Sequence, residues 1–273
     1  MSKDLTVVIL TKNEAGNLRH LLPALSWVKK IVIVDSLSSD QTKQVAKQYG
    51  AEFISCSQDS FAQKRNAALS HLKTDWVLYL DADERPTPAL ITEISQILAS
   101  QRAHQAYKIR RQNYCYGYPL NYGGWGNDWV TRLFQTKFLL RWQGEIHESP
   151  IYEGELGVIN HPLWHFTHRS TAANLAKSST WTIKEAQLLA DAAIAPVNKY
   201  TILRKILGEF YRRYFVFQGY KDGMVGFVES LTQAFNRGWV YMQVWELQQV
   251  PSIAERYQCL EKKVPQINQT SCQ

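Results

Sequence analysis

Up to about residue 100 the chain alternates between two hydrophobic periods, and this alternation limits its fold more than any other feature. Short β-rich runs at residues 5–10 ("LTVVIL"), 30–35 ("KIVIVD"), 51–56 ("AEFISC") and 76–80 ("WVLYL") are separated by helical stretches. The first of these carries Leu18, Leu21, Leu22 and Leu25 at helical spacing; the second, "SSDQTKQVAKQYG", closes on Gly50; the third is "SFAQKRNAALSHL". Strands separated by helices of this length imply βαβ units and a mostly parallel central sheet, hence an α/β, Rossmann-like fold. Ligands of such sheets sit beyond the carboxyl ends of the strands. Asp35 and the pair Asp81/Asp83 fall at those ends.

From residue 106 the texture changes to "AYKIRRQNYCYGYPLNYGGWGNDWVTRLF", rich in Tyr, Trp, Gly and Arg, followed by "LLRWQGEIHESPIYEG". These read as strands with long loops. From about residue 170 to 249 the pattern is helical, and residues 250–273 form a polar tail expected to be loose. With 273 residues, 45% of them hydrophobic, the chain can bury a sizeable core in one or two domains. The expected division is 1–169 for the catalytic domain, with halves 1–104 and 105–169, then 170–249 for a helical extension. Nothing at the amino end looks like a signal peptide, and no window is apolar enough to span a bilayer. Cys56, Cys115, Cys259 and Cys272 have no paired spacing, so free thiols in a reducing cytoplasm are expected. The net charge of +7 is compatible with nucleic acid, anionic membrane or phosphorylated substrates and does not choose among them.

Three clusters carry candidate chemistry. In "WVLYLDADERPTP" an apolar strand ends in Asp81, Ala82, Asp83 and Glu84. Two carboxylates at i and i+2 can approach one hard divalent cation, directly or through water, and a cation offsets their repulsion. A cap for the helix starting at Thr87-Pro88 is the plainer use of the same acids. In "VIVDSLSSDQT", Asp35 can accept hydrogen bonds from a nucleobase or ribose, whereas Asp40 belongs to the next helix start. "FAQKRNAAL" adds Lys64 and Arg65, cations able to approach a diphosphate. Taken singly, each is as readily a solvated helix face or a cap.

In this order and spacing, "VVILTKNE", "IVIVDSLSSDQT", "FAQKRNAAL" and "WVLYLDADE" resemble the inverting family 2 glycosyltransferases of GT-A fold. "RLFQTKFLLRWQGEIHE" and "HPLWHFTHRS" resemble the subgroup of bacterial lipopolysaccharide core β-1,4-glucosyltransferases, and the likeness extends to about residue 190. It implies transfer of a hexose, glucose foremost, from a nucleotide-diphosphate sugar, UDP favoured, to a glycolipid or oligosaccharide acceptor such as lipopolysaccharide core. It also implies a divalent cation, Mg²⁺ or Mn²⁺, and a place at the cytoplasmic face of the inner membrane. Residue by residue, it places Thr11 and Glu14 at the nucleobase edge and Asp35 on the uracil or ribose. Lys64, Arg65, Asp81, Ala82 and Asp83 fall at the donor, with Asp83 on the cation and Asp81 on the ribose or a metal-bound water. His165 is the expected further metal ligand, with His147 as its rival; packing among Trp164 and Phe166 is the other use of these histidines. The base is expected to be Glu148, with Glu145 and Asp128 as rivals. If residues 145–148 are extended, Glu145 and Glu148 face opposite sides, so only one of them meets substrate. Tyr122 and Trp125, flanked by glycines, are expected to contact the acceptor.

Residues 200–217 put Arg204, Lys205, Glu209, Arg212 and Arg213 about four apart, with Leu203, Ile206, Leu207, Phe210 and Tyr214 on another side. Such a helix can lie on an anionic membrane, cover the catalytic core or form a dimer seam. Other functions fit less well. A sugar nucleotidyltransferase usually has a Gly-rich phosphate loop, but "ILTKNEAGNL" has one glycine; a dinucleotide oxidoreductase would show G-x-G-x-x-G. A nucleic-acid binder would leave the acids at Asp35, Asp81, Asp83 and Glu148 unexplained, so no nucleic-acid partner is expected. A degenerate transferase that only binds nucleotide sugar is the remaining alternative.

Overall fold

The computed structural model describes residues 4–58, 60–144 and 148–262. The chain divides into two compact units, 1–170 and 171–273. The first contains β1 (Leu5–Thr11), α1 (Ala15–Leu21), β2 (Lys30–Asp35), α2 (Thr42–Gln48), β3 (Glu52–Ser55) and α3 (Phe61–Ala67). It continues through β4 (Trp76–Asp81), β5 (Glu84–Pro86), α4 (Pro88–Ala99), β6 (Ala106–Cys115), β7 (Tyr118–Leu120) and β8 (Trp129–Gln135). It closes with β9 (Leu139–Gln143), β10 (Ser149–Tyr152) and β11 (Leu156–Phe166).

The strands form a nine-stranded sheet in the order β3-β2-β1-β4-β8-β6-β11-β5, with β7 on β6, and a separate β9–β10 pair. β3, β2, β1 and β4 are parallel; β8 is antiparallel to both β4 and β6, so β6 and its parallel neighbour β11 point the same way as β4. Six strands therefore share one direction, and only β5, β7 and β8 oppose it. The mostly parallel sheet expected from the alternation is present.

Both faces of the sheet are covered, which is why its central strands read as unbroken apolar runs. Val7 and Ile9 of β1 pack with Leu18 and Leu21 of α1 and with Leu90 and Ile94 of α4. The intervening Val8, with Val77 and Tyr79 of β4, packs against Ala62 of α3, Phe134 and Trp142. Each such fully buried side chain contributes about 1.5–3 kcal/mol of transfer free energy. The register then sets the site: Thr11 lies beside Asp35, and Leu10 beside Asp81, so polar groups collect at one edge of the sheet. Cys56 and Cys115 are buried and Cys259 is exposed; Cys272 is outside the described residues.

The second unit contains α5 (Thr171–Asp191), α6 (Lys199–Tyr211), a π-helical turn (Arg212–Val216), α7 (Gly223–Leu247) and α8 (Ile253–Glu261). α8 departs from the loose tail expected after residue 250: Ser252 and Glu255 cap it reciprocally, satisfying two backbone donors at its start. α6 approaches α7 closely at Gly238, where an added Cβ would lie 2.7 Å from Ile206 Cγ1. That contact divides the apolar side of α6 expected from sequence. Ile206 and Phe210 are partly buried, Phe210 edge-on to Phe227 of α7 at 5.9 Å, while Leu203 and Leu207 stay 55% and 66% exposed. Among the described residues no helix is long and apolar enough to cross a membrane.

Candidate active site

At the end of β1, Thr11 Oγ1 donates to Asp35 Oδ1 at 2.8 Å, at the end of β2. The Asp35 carboxylate also caps the turn after it, taking the Ser38 amide on Oδ2 at 2.8 Å and the Ser38 hydroxyl on Oδ1 at 2.5 Å. Leu37 makes this turn with φ of 56°, in the left-handed region that branched side chains avoid. A carboxylate has about four acceptor positions, so Asp35 retains one, on Oδ2, for a further donor. Beside this pair, Glu14 Oε2 accepts from Asn17 Nδ2 at 2.7 Å, and Asn17 Oδ1 accepts from both Arg85 (3.1 Å) and Arg169 (2.6 Å).

Asp81, at the end of β4, is ringed by cations. Arg132 of β8 lies 2.5 Å from Oδ2, Arg65 of α3 is 3.0 Å from Oδ1, and Arg111 of β6 is 4.0 Å from Oδ2. Burial alone would push this carboxyl up, but Arg132, Arg65 and Arg111 outweigh it and hold it well below the carboxylate range. Glu84 sits fully buried behind Asp81 and accepts the Asp81 amide at 2.9 Å. Its carboxyl is pushed up, first by burial and then by the Asp81 charge, against the pull of Arg132 and Arg111. Two acids one turn apart are thus driven in opposite directions.

Arg65 joins Asp81 to Glu148: its Nη2 also lies 3.0 Å from Glu148 Oε1, and its Nε donates to the same oxygen at 3.2 Å. The guanidinium is nearly inaccessible, set over the rings of Trp142 (4.8 Å) and Tyr79 (5.5 Å). Burial raises the Tyr79 phenol to about 12, so it stays a neutral donor, to the Arg65 carbonyl. Among the described residues Glu148 Oε2 takes no partner, whereas both oxygens of Asp128 are engaged. Arg111 grips Asp128 through two N–H groups at 2.9 and 3.0 Å, and Asn113 Nδ2 adds a third bond at 3.0 Å.

Asn113 links this network to Asp83. Its Nδ2 donates to Asp128 and to the Trp125 carbonyl, so its Oδ1 must be the acceptor for His165 Nδ1 at 2.6 Å. That bond places the proton on Nδ1 and turns Nε2 towards Asp83 Oδ2, 3.4 Å away. Two lone-pair atoms facing each other at this distance repel unless a proton or a cation lies between them. Neighbouring ligands of an octahedral cation with 2.0–2.1 Å bonds lie about 3 Å apart, close to the spacing seen. A histidine whose second nitrogen is fixed by an amide oxygen is also the usual arrangement behind a metal ligand. Asp83 and His165 therefore fit a divalent cation.

Ala82 is buried, and its carbonyl accepts from Arg85 at 2.7 Å. Lys64 is buried with its ammonium 5.1 Å from the Phe61 ring centre. Tyr122 lies on the exposed loop before β8; Trp125 is tied into that loop by its amide bond to the Tyr122 carbonyl and packs edge-on against His168 at 5.3 Å. Glu145 and His147, the rivals for base and ligand, lie outside the described residues. Sequence reasoning named Glu84 only as one of the clustered acids and missed its burial behind Asp81, and it missed Arg111, Asn113 and Arg132 altogether. The one available signal was Arg132 inside the apolar run "VTRLF", where a buried cation demands an acid partner.

The model of the family described as glycosyl transferase family 2 matches residues 6–150. An uncharacterized glycosyltransferase of Rickettsia bellii is 25% identical over 253 residues, covering 87% of this chain and 84% of its own length. The lipopolysaccharide core biosynthesis glycosyltransferase LpsC of Rhizobium meliloti is 25% identical over 242 residues, 84% of this chain and 87% of LpsC. Among solved structures, S. aureus TarS 1-349 aligns over 94% of this chain and 91% of its own with 14% identity and a TM-score of 0.46.

Proposed function

The chain belongs to glycosyl transferase family 2 and is a glycosyltransferase of GT-A fold, and we propose that it moves glucose from UDP-glucose, with inversion, onto a saccharide of the lipopolysaccharide core or a similar glycolipid. The observation that carries this reading is the facing pair Asp83 Oδ2 and His165 Nε2, set at the sheet edge that also presents Thr11 and Asp35. The remaining acceptor position of Asp35 suits a ribose hydroxyl or uracil N–H, with Glu14 at the neighbouring edge. The acceptor class is supported by the likeness to LpsC, a lipopolysaccharide core biosynthesis glycosyltransferase. Asp83 and His165 would hold the cation, which would supply neutralisation of charge at the departing diphosphate.

Glu148 is the base in this reading. Its Oε1 is held by Arg65 and its Oε2 is open, so the carboxylate is oriented yet can still take a proton. Asp128, with both oxygens already engaged by three donors, is the poorer choice. As the acceptor oxygen bonds to the anomeric carbon, its proton passes to Glu148 and the carbon–phosphate oxygen bond breaks on the opposite side, releasing UDP. Tyr122 and Trp125 border the acceptor side. Glu148→Gln should cut UDP release from UDP-glucose and core acceptor by at least about 100-fold. Calorimetry should find its UDP affinity within about twofold of wild type, because the amide still accepts from Arg65. Full turnover in this variant would remove Glu148 from the role. Wild type that neither binds nor releases UDP would end the transferase reading for this donor.

The glycolipid acceptor gives α6 a use. Its exposed face carries Tyr200, Leu203, Leu207 and Tyr211 in one row, with Arg204 and Arg212 beside it. This suits peripheral contact with an anionic membrane at its cytoplasmic face. Co-sedimentation with vesicles of mixed neutral and anionic lipid should be strong at low salt and weak at 0.5 M salt, roughly the range over which surface charge is screened. Replacing Leu203 and Leu207 together with serine should weaken it at least about tenfold. Wild type that ignores these vesicles at low salt would refute the contact.

A further inference from the structure

Residues alternate across β5 and β11, so Glu84 and His165 occupy one face of that strand pair and Arg85 and Trp164 the other. On this second face lies a cavity of about 670 Å³ that the transfer chemistry does not use. Its walls include Arg85, Arg169, His20, Tyr114, Trp164 and Phe166, and no carboxylate lines it among the described residues. The volume is in the range of small-molecule sites.

Two features define what the cavity would hold. The first is charge. Arg85 donates to the carbonyls of Ala82, Glu84 and Asn17 and to the Asn17 side chain, which are neutral acceptors. Arg169 is drawn to the same Asn17 oxygen. Two guanidinium groups are thus gathered at one amide. Arg85 keeps its Nε–H and Arg169 all but one of its N–H groups, donors that suit the oxygens of a phosphate or carboxylate. The second is the aromatic wall. The Tyr114 ring centre lies 5.4 Å from that of Trp164 and 5.2 Å from that of Phe166, with planes inclined at 57° and 33°, and Trp164 stands at 89° to Phe166. These rings form no parallel slot of the kind that grips a flat base between two faces. Trp164 instead offers a single open face, 40% exposed, on which the C–H side of a sugar ring can lie.

We infer that this cavity is a second saccharide site, separate from the donor site, for a sugar bearing a phosphate or carboxylate group. The ring rests on Trp164 and the anion meets Arg85 and Arg169. The inference goes beyond the proposed transfer reaction and needs no cation.

The test is calorimetry on the full chain with four probes: glucose 6-phosphate, glucuronate, glucose and inorganic phosphate. The two anionic sugars should bind at least about tenfold more tightly than glucose or phosphate, since only they use both the ring and the charge. Comparing those two shows which anion the site prefers. Trp164→Ala and Arg169→Gln should each weaken the preferred sugar about tenfold, and thermal unfolding of both variants should match wild type. UDP with Mn²⁺ should neither displace the sugar nor lose affinity in either variant. Displacement by UDP would make the cavity part of the donor site and overturn the inference, as would equal binding by both variants or no binding of any anionic sugar. Loss of UDP binding by wild type with sugar binding retained would refute the transferase proposal alone.

Discussion

Asp83→Ala should abolish the enhancement of UDP binding by Mn²⁺ and lower turnover by at least about 100-fold, without unfolding the protein. Asp83 Oδ2 faces His165 Nε2 at 3.4 Å, and the His165 tautomer is already fixed from the other side by Asn113. Removing the carboxylate leaves His165 Nε2 without its facing oxygen, while the backbone of the segment stays anchored by the bond from the Phe166 amide to the Asp83 carbonyl. Asn113→Ala should have a smaller effect on cation affinity, about 10–100-fold, because it frees the imidazole without deleting a ligand. Calorimetric titration of UDP with and without Mn²⁺ reads both. If Mn²⁺ strengthens UDP binding in Asp83→Ala as much as in wild type, the cation is held elsewhere.

Arg132→Met should cost about 3–5 kcal/mol of stability at neutral pH, the usual penalty for removing one partner of a buried charge cluster. Arg132 is the chief cation for both Asp81 and Glu84, at 2.5 and 3.4 Å, and Glu84 has no exposure to water. The cost should depend on pH with a definite sign. In wild type the Asp81 carboxyl is held below its ordinary value of 3.8, so its stabilisation is present above that value and is lost as pH falls through the folded-state value. Glu84 is raised above its ordinary 4.5, so its ionisation opposes folding as pH rises. Without Arg132 both carboxyls take up protons more readily in the folded state. The deficit of the variant should therefore be largest near pH 7.5 and narrow towards pH 4.5. Urea unfolding at the two pH values checks this, and a deficit that widens in acid would contradict the assigned network.

The alternation of periods made the sheet legible, because strands buried on both faces must be continuously apolar and their helices must be amphipathic. Where such strands stop, a polar residue is conspicuous, and Asp35, Asp81 and Asp83 stand out that way, whereas Thr11 is pointed to by the family resemblance. The other half of the network was less visible. Asn113 and Arg111 sit in "AYKIRRQNYC", where apolar and polar residues mix because β6 runs beside an antiparallel strand and is only partly covered. Nothing in that string tells which polar side chain points inwards. The face of α6 was ambiguous for a related reason. Ile206 and Leu207 are adjacent, and periodicity assigns both to one broad stripe; the small residue Gly238 on α7 decides that Ile206 packs and Leu207 does not. A groove on another helix has no counterpart in the pattern of the first.

The order of the strands also sets when the site can exist during synthesis. β5, which carries Glu84 and Arg85 and directly follows Asp83, is the edge strand of the sheet and is paired with β11 alone among the described strands. Its partner residue for Glu84 is His165, 81 positions later. At about 5–20 residues per second a ribosome takes roughly 4–16 s to cover that distance. For that interval the β1–β4 ladders can close while the Asp81–Glu84 acids lack β11 beside them, and until Gln135 is made they lack β8 as well. The long separation makes this pairing slow to form by loop closure as well. The binding edge is thus a late product of folding, completed only when β11 enters between β6 and β5.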